Sequence, residues 1–436
     1  MSIEVTTFLF FGSLLVYLVL GLPLDFVLGG VAVTFLYFTW GPEAFYILGT
    51  RMWGTMNSFT LLAIPLSIFM AMLLERAGVA QNLYRMMHLW WGGVRGGLAI
   101  GTVFICTIFA AMCGISGAAV VSLGTIALPH MLSRGYDKRL ALGAINAGGG
   151  FGILIPPSVL MVLYALITGV SVGKLFAGGV LPGLLLCALV SIYIAARCYF
   201  QPHLGPSLPP EERGSWAEKL AALRAVILPI FIVGLVLGSI LAGLATATEA
   251  AAIGVFGALI AAIVHRQLTW SLLREASGRT FALTGMVMWI LFAAHAFSTA
   301  YNSMGAQSFI EGLLQYIPGG QWGALGAILV ILFLLGMVLD PVGIMLITLP
   351  VFLPIVTAYD FDPIWFGVIF IVCMEIGYMT PPFGFNLFYL KGVAPPGVTM
   401  ADIYQSVWPY VGVIVIGLFL LILFPDIVMY LPDRLY

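Results

Sequence analysis

Long apolar stretches alternate with short polar segments along the whole chain. Apolar runs of about 17 to 28 residues suit α-helices that cross a ~30 Å hydrocarbon core, whereas the strands of a membrane barrel need only about ten residues. The pattern predicts membrane spans near residues 3–20, 25–40, 58–74, 140–168, 175–198, 226–244, 248–264, 280–299, 364–391 and 403–424. We therefore expect an all-α polytopic membrane protein.

Two longer apolar blocks, 97–132 and 322–356, do not fit a single span. Small or polar residues interrupt each block near its centre, at Gly114-Ile115-Ser116-Gly117 and at Asp340-Pro341-Val342-Gly343. A chain that breaks at the middle of such a block can turn and leave the membrane on the side where it entered. Each block is therefore a candidate re-entrant hairpin.

Charged residues beside the blocks predict the side from which each hairpin enters. Basic residues mark cytoplasmic loops, and they flank the first block in the 75–95 and 133–139 loops, at Arg76, Arg85, Arg95, Arg134, Lys138 and Arg139. The loops around the second block are acidic, with Glu311, Asp360 and Asp362. The first hairpin is expected to enter from the cytoplasm and the second from outside, with both chain termini outside.

The two halves of the sequence repeat each other at an offset of 225 residues. The offset superposes Pro129 on Pro354, Gly152 on Gly377, Pro156-Pro157 on Pro381-Pro382 and Tyr164 on Tyr389. Because five spans is an odd number, the two halves would be antiparallel. We predict an inverted repeat of five spans plus one hairpin in each half, or about ten spans and two hairpins. The domains would be residues 1–200, a cytoplasmic linker and surface helix at 201–224, and residues 225–436.

Composition excludes the soluble alternatives. Charged residues make up 8% of the 436 residues and hydrophobic types 62%, where soluble proteins carry roughly 25% charge. This excludes a water-soluble enzyme and a disordered chain. The net charge of −1 gives no case for nucleic acid, and the five cysteines lack metal-ligand spacing.

An inverted repeat with paired hairpins and broken helices is typical of a secondary transporter. The fourth span of each half contains such a break, in the segments 146–158 and 374–386, each rich in glycine and ending near a Pro-Pro pair. Unwound carbonyls there can coordinate Na⁺, and helix N-termini favour an anionic substrate. The candidate substrate ligands are Ser116, Asn146, Ser158, Glu375, Thr380 and Asn386. The candidate cation ligands are Ser116, Gly117, Gly150, Pro156, Asp340, Gly377 and Thr380.

Ionisable residues at membrane depth are expensive and usually functional. Glu375 is favoured for a role in the cavity or ion site over a structural pair. For Asp340 an N-cap role is a serious alternative, and for Glu249 it is at least as good as a functional one. Each hairpin tip should lie within about 15 Å, three turns of helix, of the break in its own half.

Several motifs resemble the large membrane subunit of tripartite ATP-independent periplasmic (TRAP) transporters, over almost the whole chain. They are Arg134-Gly135-Tyr136-Asp137-Lys138-Arg139-Leu140, the run Gly152 to Ser158, Gly183 after Leu181-Pro182, Ala247 to Ala251, Leu339-Asp340-Pro341 and the run Thr380 to Phe388. The resemblance implies an elevator-type carrier of the ion transporter superfamily in the bacterial inner membrane, with periplasmic termini. It also implies Na⁺ coupling and import of a small carboxylate.

The same resemblance implies two partners, a small four-helix membrane subunit and a periplasmic substrate-binding protein, each expected as a separate chain. A self-sufficient carrier or antiporter of the same superfamily is the main alternative. An intramembrane enzyme is disfavoured because the sequence has no HExxH, GxSxG or paired catalytic Asp pattern, and a channel because paired hairpins suggest alternating access. The sequence does not identify the substrate.

Overall fold

The computed structural model describes residues 3–209, 213–305, 312, 318–337 and 339–436, and these residues form helices and turns with no strand. The helices up to the linker are α1 (Ile3–Val19), α2 (Leu24–Trp40), α3 (Ala44–Met56), α4 (Ala63–Arg76), α5 (Val79–Trp91), α6 (Gly97–Cys113), α7 (Ser116–Ser133), α8 (Lys138–Gly150), α9 (Val159–Thr168) and α10 (Val172–Phe200). The expected all-α class is confirmed.

The remaining helices follow in the same order along the chain. They are α11 (Trp216–Ala222), α12 (Arg224–Leu241), α13 (Ala247–Val264), α14 (Trp270–Ser303), α15 (Gly320–Gly336), α16 (Pro341–Ala358), α17 (Pro363–Met379), α18 (Phe385–Val393), α19 (Met400–Leu423) and α20 (Asp426–Leu435). The surface helix expected in the linker is α11. Glu311, used above to place the second hairpin, lies outside the described residues.

The outer surface of the helical body is apolar. Within the described chain, nine helical segments are long and apolar enough to cross a membrane. Large apolar side chains such as Phe8, Phe38 and Phe281 are about four-fifths exposed, at 77%, 82% and 83%. Exposed apolar area on this scale is unfavourable in water and normal against lipid tails. The protein is a multi-pass membrane protein.

Three helices were not expected from the pattern: α3, α5 and α20. The segment interpreted above as a 75–95 loop contains α5, and that prediction was wrong. One side of α5 buries apolar residues such as Leu83, Met86 and Met87, and the other exposes polar ones such as Arg85. An amphipathic helix that lies along a surface lacks the long apolar run by which spans are found.

The first apolar block forms a hairpin of α6 and α7. The chain reverses at Gly114, which has φ +65°, and at the extended Ile115. Glycine tolerates the left-handed conformation that ends α6, and α7 then begins at Ser116. This reversal is the first tip.

The second block forms the matching hairpin of α15 and α16. Asp340 caps α16 by accepting a hydrogen bond from the Gly343 amide at 3.0 Å, and Pro341 occupies the first helical position. Proline is favoured there because its fixed φ suits the helix and its missing N–H has no partner at that position. The second tip comprises residues 337–340, of which Val338 lies outside the described residues.

Both spans that contain a Pro-Pro pair are interrupted. In the first, α8 ends at Gly150, a short 3-10 turn covers Phe151–Ile153, and α9 begins at Val159. In the second, α17 ends at Met379 and α18 begins at Phe385. Proline lacks an amide hydrogen and disfavours helix in the residue before it, so helix cannot continue through either Pro-Pro pair. We call these interruptions the first and second breaks.

Contacts between distant segments sort the helix ends into two groups. The first group is three hydrogen bonds from a hydroxyl to a backbone carbonyl. They run from Tyr164 to Pro363 at 2.7 Å, from Thr248 to Phe59 at 3.1 Å and from Tyr436 to Ile240 at 2.9 Å. The other joins Arg76 to Glu275, Lys138 to Asp402 at 3.2 Å and the Trp90 indole to the Lys219 carbonyl at 2.9 Å. Each contact joins two ends that the predicted topology assigns to one side of the membrane.

Candidate functional site

The first tip packs directly against the first break. A Cβ added to Gly114 would lie 2.2 Å from the Pro157 carbonyl oxygen, and one added to Gly152 would lie 3.1 Å from the Ser116 nitrogen. The Val159 amide donates to the Gly114 carbonyl at 3.4 Å. These backbones approach too closely for any side chain between them. The expected tip-to-break distance is confirmed for this half.

The second tip meets the second break in the same way. The helices that lead into them touch first: a Cβ added to Gly336 at the end of α15 would lie 2.9 Å from the Cα of Gly377 in α17, and one added to Gly377 would lie 2.7 Å from the Cα of Gly336. The Phe383 amide donates to the Met337 carbonyl at 3.2 Å. The expected placement is therefore confirmed for the second half as well.

Residues of the two halves of the chain also contact each other beside the first tip and the first break. The Ser116 hydroxyl of the first tip donates to the Asn386 side-chain oxygen of α18 at 2.7 Å, and both residues are buried. A Cβ on Gly150 would lie 3.2 Å from a carboxylate oxygen of Glu375. The structure thus brings Ser116, Gly150, Glu375 and Asn386 into one region, which we call the tip–break site.

Three side chains at the tip–break site contain buried polar atoms without a hydrogen-bond partner. The unpaired atoms are the two carboxylate oxygens of Glu375, the side-chain oxygen of Asn146 and the side-chain nitrogen of Asn386. All three residues are 0% exposed. A buried polar group left unpaired costs about 1–3 kcal/mol, and more when charged. Such a concentration beside two helix breaks is what a site for a polar ligand requires.

Two of the candidate hydroxyls already have partners within the breaks. Ser158 caps α9, donating to the Ile153 carbonyl at 2.5 Å and accepting from the Met161 amide at 3.3 Å. Thr380 donates to the Ile376 carbonyl at 2.7 Å. These three bonds hold the ends of the broken helices in shape. Ligand contacts from Ser158 and Thr380 stay predictions.

The carboxylates at helix starts have structural roles. Asp340 is the N-cap of α16, as the alternative interpretation predicted, and its role as a cation ligand stays a prediction. Glu249 forms a capping box at the start of α13, where the Thr246 amide and hydroxyl each donate to it at 2.8 Å. Capping accounts for Glu249 without a ligand.

Cation binding at the tip–break site stays a prediction. Among the described residues, no group of three or more His, Cys, Asp or Glu side chains is placed to hold a metal ion. The carbonyls predicted as ligands lie in or beside the breaks, at Gly150, Pro156 and Gly377. The Gly377 carbonyl accepts from the Thr380 amide at 3.1 Å, and Glu375 lies beside Gly150. Unwound carbonyls of this kind coordinate Na⁺ in transporters.

Sequence reasoning missed Tyr389 as a site residue. Its ring lies on the first tip, because a Cβ on Gly117 would be 2.9 Å from the nearest ring carbon. The only signal in the sequence was the repeat offset, which superposes Tyr164 on Tyr389. The offset does not predict the contact of Tyr389 with the tip, because its counterpart Tyr164 donates to the Pro363 carbonyl instead.

Comparison with known families agrees with this architecture. A family model described as the DctM component of the tripartite ATP-independent periplasmic transporter matches residues 11–427. The chain belongs to this TRAP family, as a large permease subunit. The family is one of transporter permeases, which is not an enzyme class, and it works with a small membrane subunit and a periplasmic binding protein.

Curated TRAP permeases align over most of their length. The C4-dicarboxylate TRAP transporter large permease protein DctM of Pseudomonas aeruginosa is 35% identical over 407 residues, covering 93% of each chain. The ectoine TRAP transporter large permease protein TeaC of Halomonas elongata is 32% identical over 375 residues, covering 86% of each. TRAP relatives of this chain therefore include proteins named for different substrates.

A solved structure shares the fold of this TRAP subunit. The YdaH transporter of Alcanivorax borkumensis superposes with a TM-score of 0.64 over 89% of each chain, at 15% sequence identity. At that identity the likeness concerns the fold alone.

Proposed function

We propose that the chain is the permease subunit of a Na⁺ symporter that imports a C4-dicarboxylate or a similar small carboxylate. The observation that carries the proposal is the contact of each tip with its own break, together with buried polar atoms that lack protein partners at Asn146, Glu375 and Asn386. Relatives named as C4-dicarboxylate permeases supply the substrate class.

The substrate carboxylate would bind between α7 and α18. Neither helix has a side-chain hydrogen bond at its N-cap, and their first turns are joined by the bond from Ser116 to Asn386. The positive ends of the two helix dipoles and the unpaired Asn386 amide nitrogen favour an anion there. Asn146 would supply a further polar contact through its unpaired oxygen.

Na⁺ would bind where the tips meet the breaks. Backbone carbonyls near Gly150, Pro156 and Gly377 would supply neutral oxygens. Asp340 at the second tip, which also caps α16, would supply a negative charge. Both carboxyl oxygens of Glu375 are buried without a hydrogen-bond partner, and a cation that travels with the substrate would stabilise the ionised carboxylate there. This arrangement explains why anion and cation would move together, since each lowers the cost of burying the other.

An inverted repeat and an elevator movement fit this assignment. The starts of α7 and α16, Ser116 and Pro341, are 225 residues apart, and so are the starts of α8 and α17, Lys138 and Pro363. The two hairpins with their broken helices would move as one body that carries the tip–break site across the membrane. The domain limits at 1–200, 201–224 and 225–436 belong to this proposal.

The orientation follows from charge. The group of helix ends that contains Arg76, Lys138 and Lys219 is rich in basic residues and would face the cytoplasm. The opposite group, which contains Tyr436, would face the periplasm. The chain would then cross the bacterial inner membrane with both termini in the periplasm.

We expect uptake to require a periplasmic binding protein. The test is reconstitution with the small four-helix subunit of the same genome, using radioactive succinate as the probe under an inward Na⁺ gradient. With the cognate binding protein, succinate should accumulate; without it, uptake should fall to the level of empty vesicles. Equal uptake without the binding protein would favour the self-sufficient carrier instead.

A further inference from the structure

A cleft of about 400 Å³ lies beside the first tip. One wall is formed by α4 and α14, and the other by α7 and α18. Its lining includes Ile115, Gly117, Glu75, Arg279 and Tyr389. The volume is within the range of small-molecule sites, roughly 300–1,000 Å³.

The cleft reaches the tip–break site but does not open into it. Ile115 and Gly117 line the cleft, whereas Ser116 between them is 1% exposed and bonds to Asn386 on the other side of the backbone. The Tyr389 ring covers Gly117, with three ring carbons within 3.3 Å of a Cβ built there. One tyrosine ring and one turn of backbone therefore separate cleft from site.

The Tyr389 ring packs on Gly117 of the first tip, and the residue stays partly exposed. It follows Asn386 by three residues, one turn of α18, so ring and amide lie on the same face of that helix. Tyr389 is 41% exposed and lines the cleft. A rotation about its side-chain bonds, or a small withdrawal of the tip, would uncover the site without unfolding any helix.

Arg279 supplies the positive charge of the cleft. Its guanidinium lies 3.4 Å from Glu275, and its side chain stays half exposed, at 50%. Glu275 in turn pairs with Arg76 at the end of α4. A second carboxylate, Glu75, lines the same cleft and interacts with Arg279. Because arginine has five donors, an anion in the cleft can still bind the exposed part of its guanidinium. Arg76 and Glu275 also place this end of the cleft with the predicted cytoplasmic ends.

We propose that the cleft is the cytoplasmic exit of the transported anion, that Tyr389 on Gly117 is its gate, and that Arg279 attracts the anion beyond the gate. The exit and the role of Arg279 rest on the proposed function, whereas the gate is a property of the contact itself. Tyr389 is a positioning residue, since its ring acts on access to the site.

The gate is tested by accessibility, without any substrate. The five native cysteines are all buried, so Ser116→Cys gives a single reporter behind the gate for a membrane-impermeant maleimide applied to inside-out vesicles. Adding Tyr389→Ala should raise its labelling rate at least tenfold. Adding Tyr389→Phe, which keeps the ring, should leave the rate within twofold of Ser116→Cys alone.

Two controls make the labelling result decisive. Ala282→Cys lies in the cleft wall in front of the gate and should label equally fast with Tyr389 or Tyr389→Ala. Tyr389→Ala without Ser116→Cys, in which the five native cysteines are buried, reports any general loosening of the fold through their labelling. Equal labelling of Ser116→Cys in all three Tyr389 backgrounds, or no labelling of Ala282→Cys from the cytoplasmic side, would overturn the proposal.

The role of Arg279 is tested by transport in the complete reconstituted system. Arg279→Gln should lower the rate of succinate transport about tenfold, and Arg279→Lys should restore most of it because a cation is retained. Rates within twofold of wild type for Arg279→Gln would overturn the anion role. If the wild-type complex moves no succinate while the labelling pattern holds, the proposed substrate fails and the gate stands.

Discussion

Gly117→Leu is expected to abolish transport while the protein still inserts into the membrane. Even a methyl group at this position would lie 2.9 Å from the Tyr389 ring, and a leucine side chain would push the first tip away from α18. The bond from Ser116 to Asn386 would then be lost, and with it the geometry of the tip–break site. A misplacement of about 1 Å can cost a hundredfold in an enzyme, so we expect uptake at least about a hundredfold lower.

The matched control is Gly234→Leu. Gly234 lies in α12, and a Cβ there meets nothing within 4 Å, so the same substitution should leave uptake unchanged. Membrane content of both variants is measured by immunoblot of washed membranes, and uptake with the reconstituted complex. Uptake by Gly117→Leu near that of Gly234→Leu would show that the tip is not part of the site.

Glu375→Met should make the protein more stable and inactive. Glu375 is 0% exposed and its carboxyl oxygens have no hydrogen-bond partner. Burying this unpaired group lowers the free energy of unfolding, whereas a buried apolar side chain would raise it. Replacing buried ionic groups by apolar ones of similar volume often stabilises by 1–4 kcal/mol, which corresponds to a rise in Tm of at least a few degrees. Uptake should fall at least tenfold, because the buried charge that a co-transported cation would neutralise is gone.

The control for Glu375→Met is Met374→Leu, the preceding buried residue of the same helix. A volume-conserving change there should cost less than about 1.5 kcal/mol and leave uptake intact. Thermal unfolding in detergent and succinate uptake are measured on both variants. A lower Tm for Glu375→Met with unchanged uptake would assign Glu375 to structure.

Patterns of hydrophobicity and proline were enough to predict the hairpins and breaks. The first hairpin was expected at 97–132 and comprises α6 and α7, and both Pro-Pro pairs fall in interrupted spans. These features are local, since a turn or a helix break needs particular residues at fixed positions in the chain. The pairing of each tip with its own break followed from the cost of burying unpaired backbone.

Contacts between the halves could not be predicted in the same way. The bond from Ser116 to Asn386 joins residues 270 positions apart, and no local rule selects that partner. The repeat offset superposed Tyr164 on Tyr389, yet one binds a carbonyl and the other covers a glycine. The amphipathic α5 was missed because polar residues, among them Gln81, Asn82 and Arg85, interrupt its apolar run. The sequence also cannot tell which predicted ligand keeps an unpaired polar atom. In the structure Asn146 does, whereas the Ser158 hydroxyl is bonded within the break.

Na⁺ dependence of uptake tests most directly the claim that tips and breaks meet around a cation. Proteoliposomes that contain the complete complex are given succinate-loaded binding protein and either an inward Na⁺ gradient or an inward proton gradient in Na⁺-free buffer. We predict accumulation under the Na⁺ gradient and none above the ionophore-treated control under the proton gradient. Equal accumulation under both gradients would contradict the account.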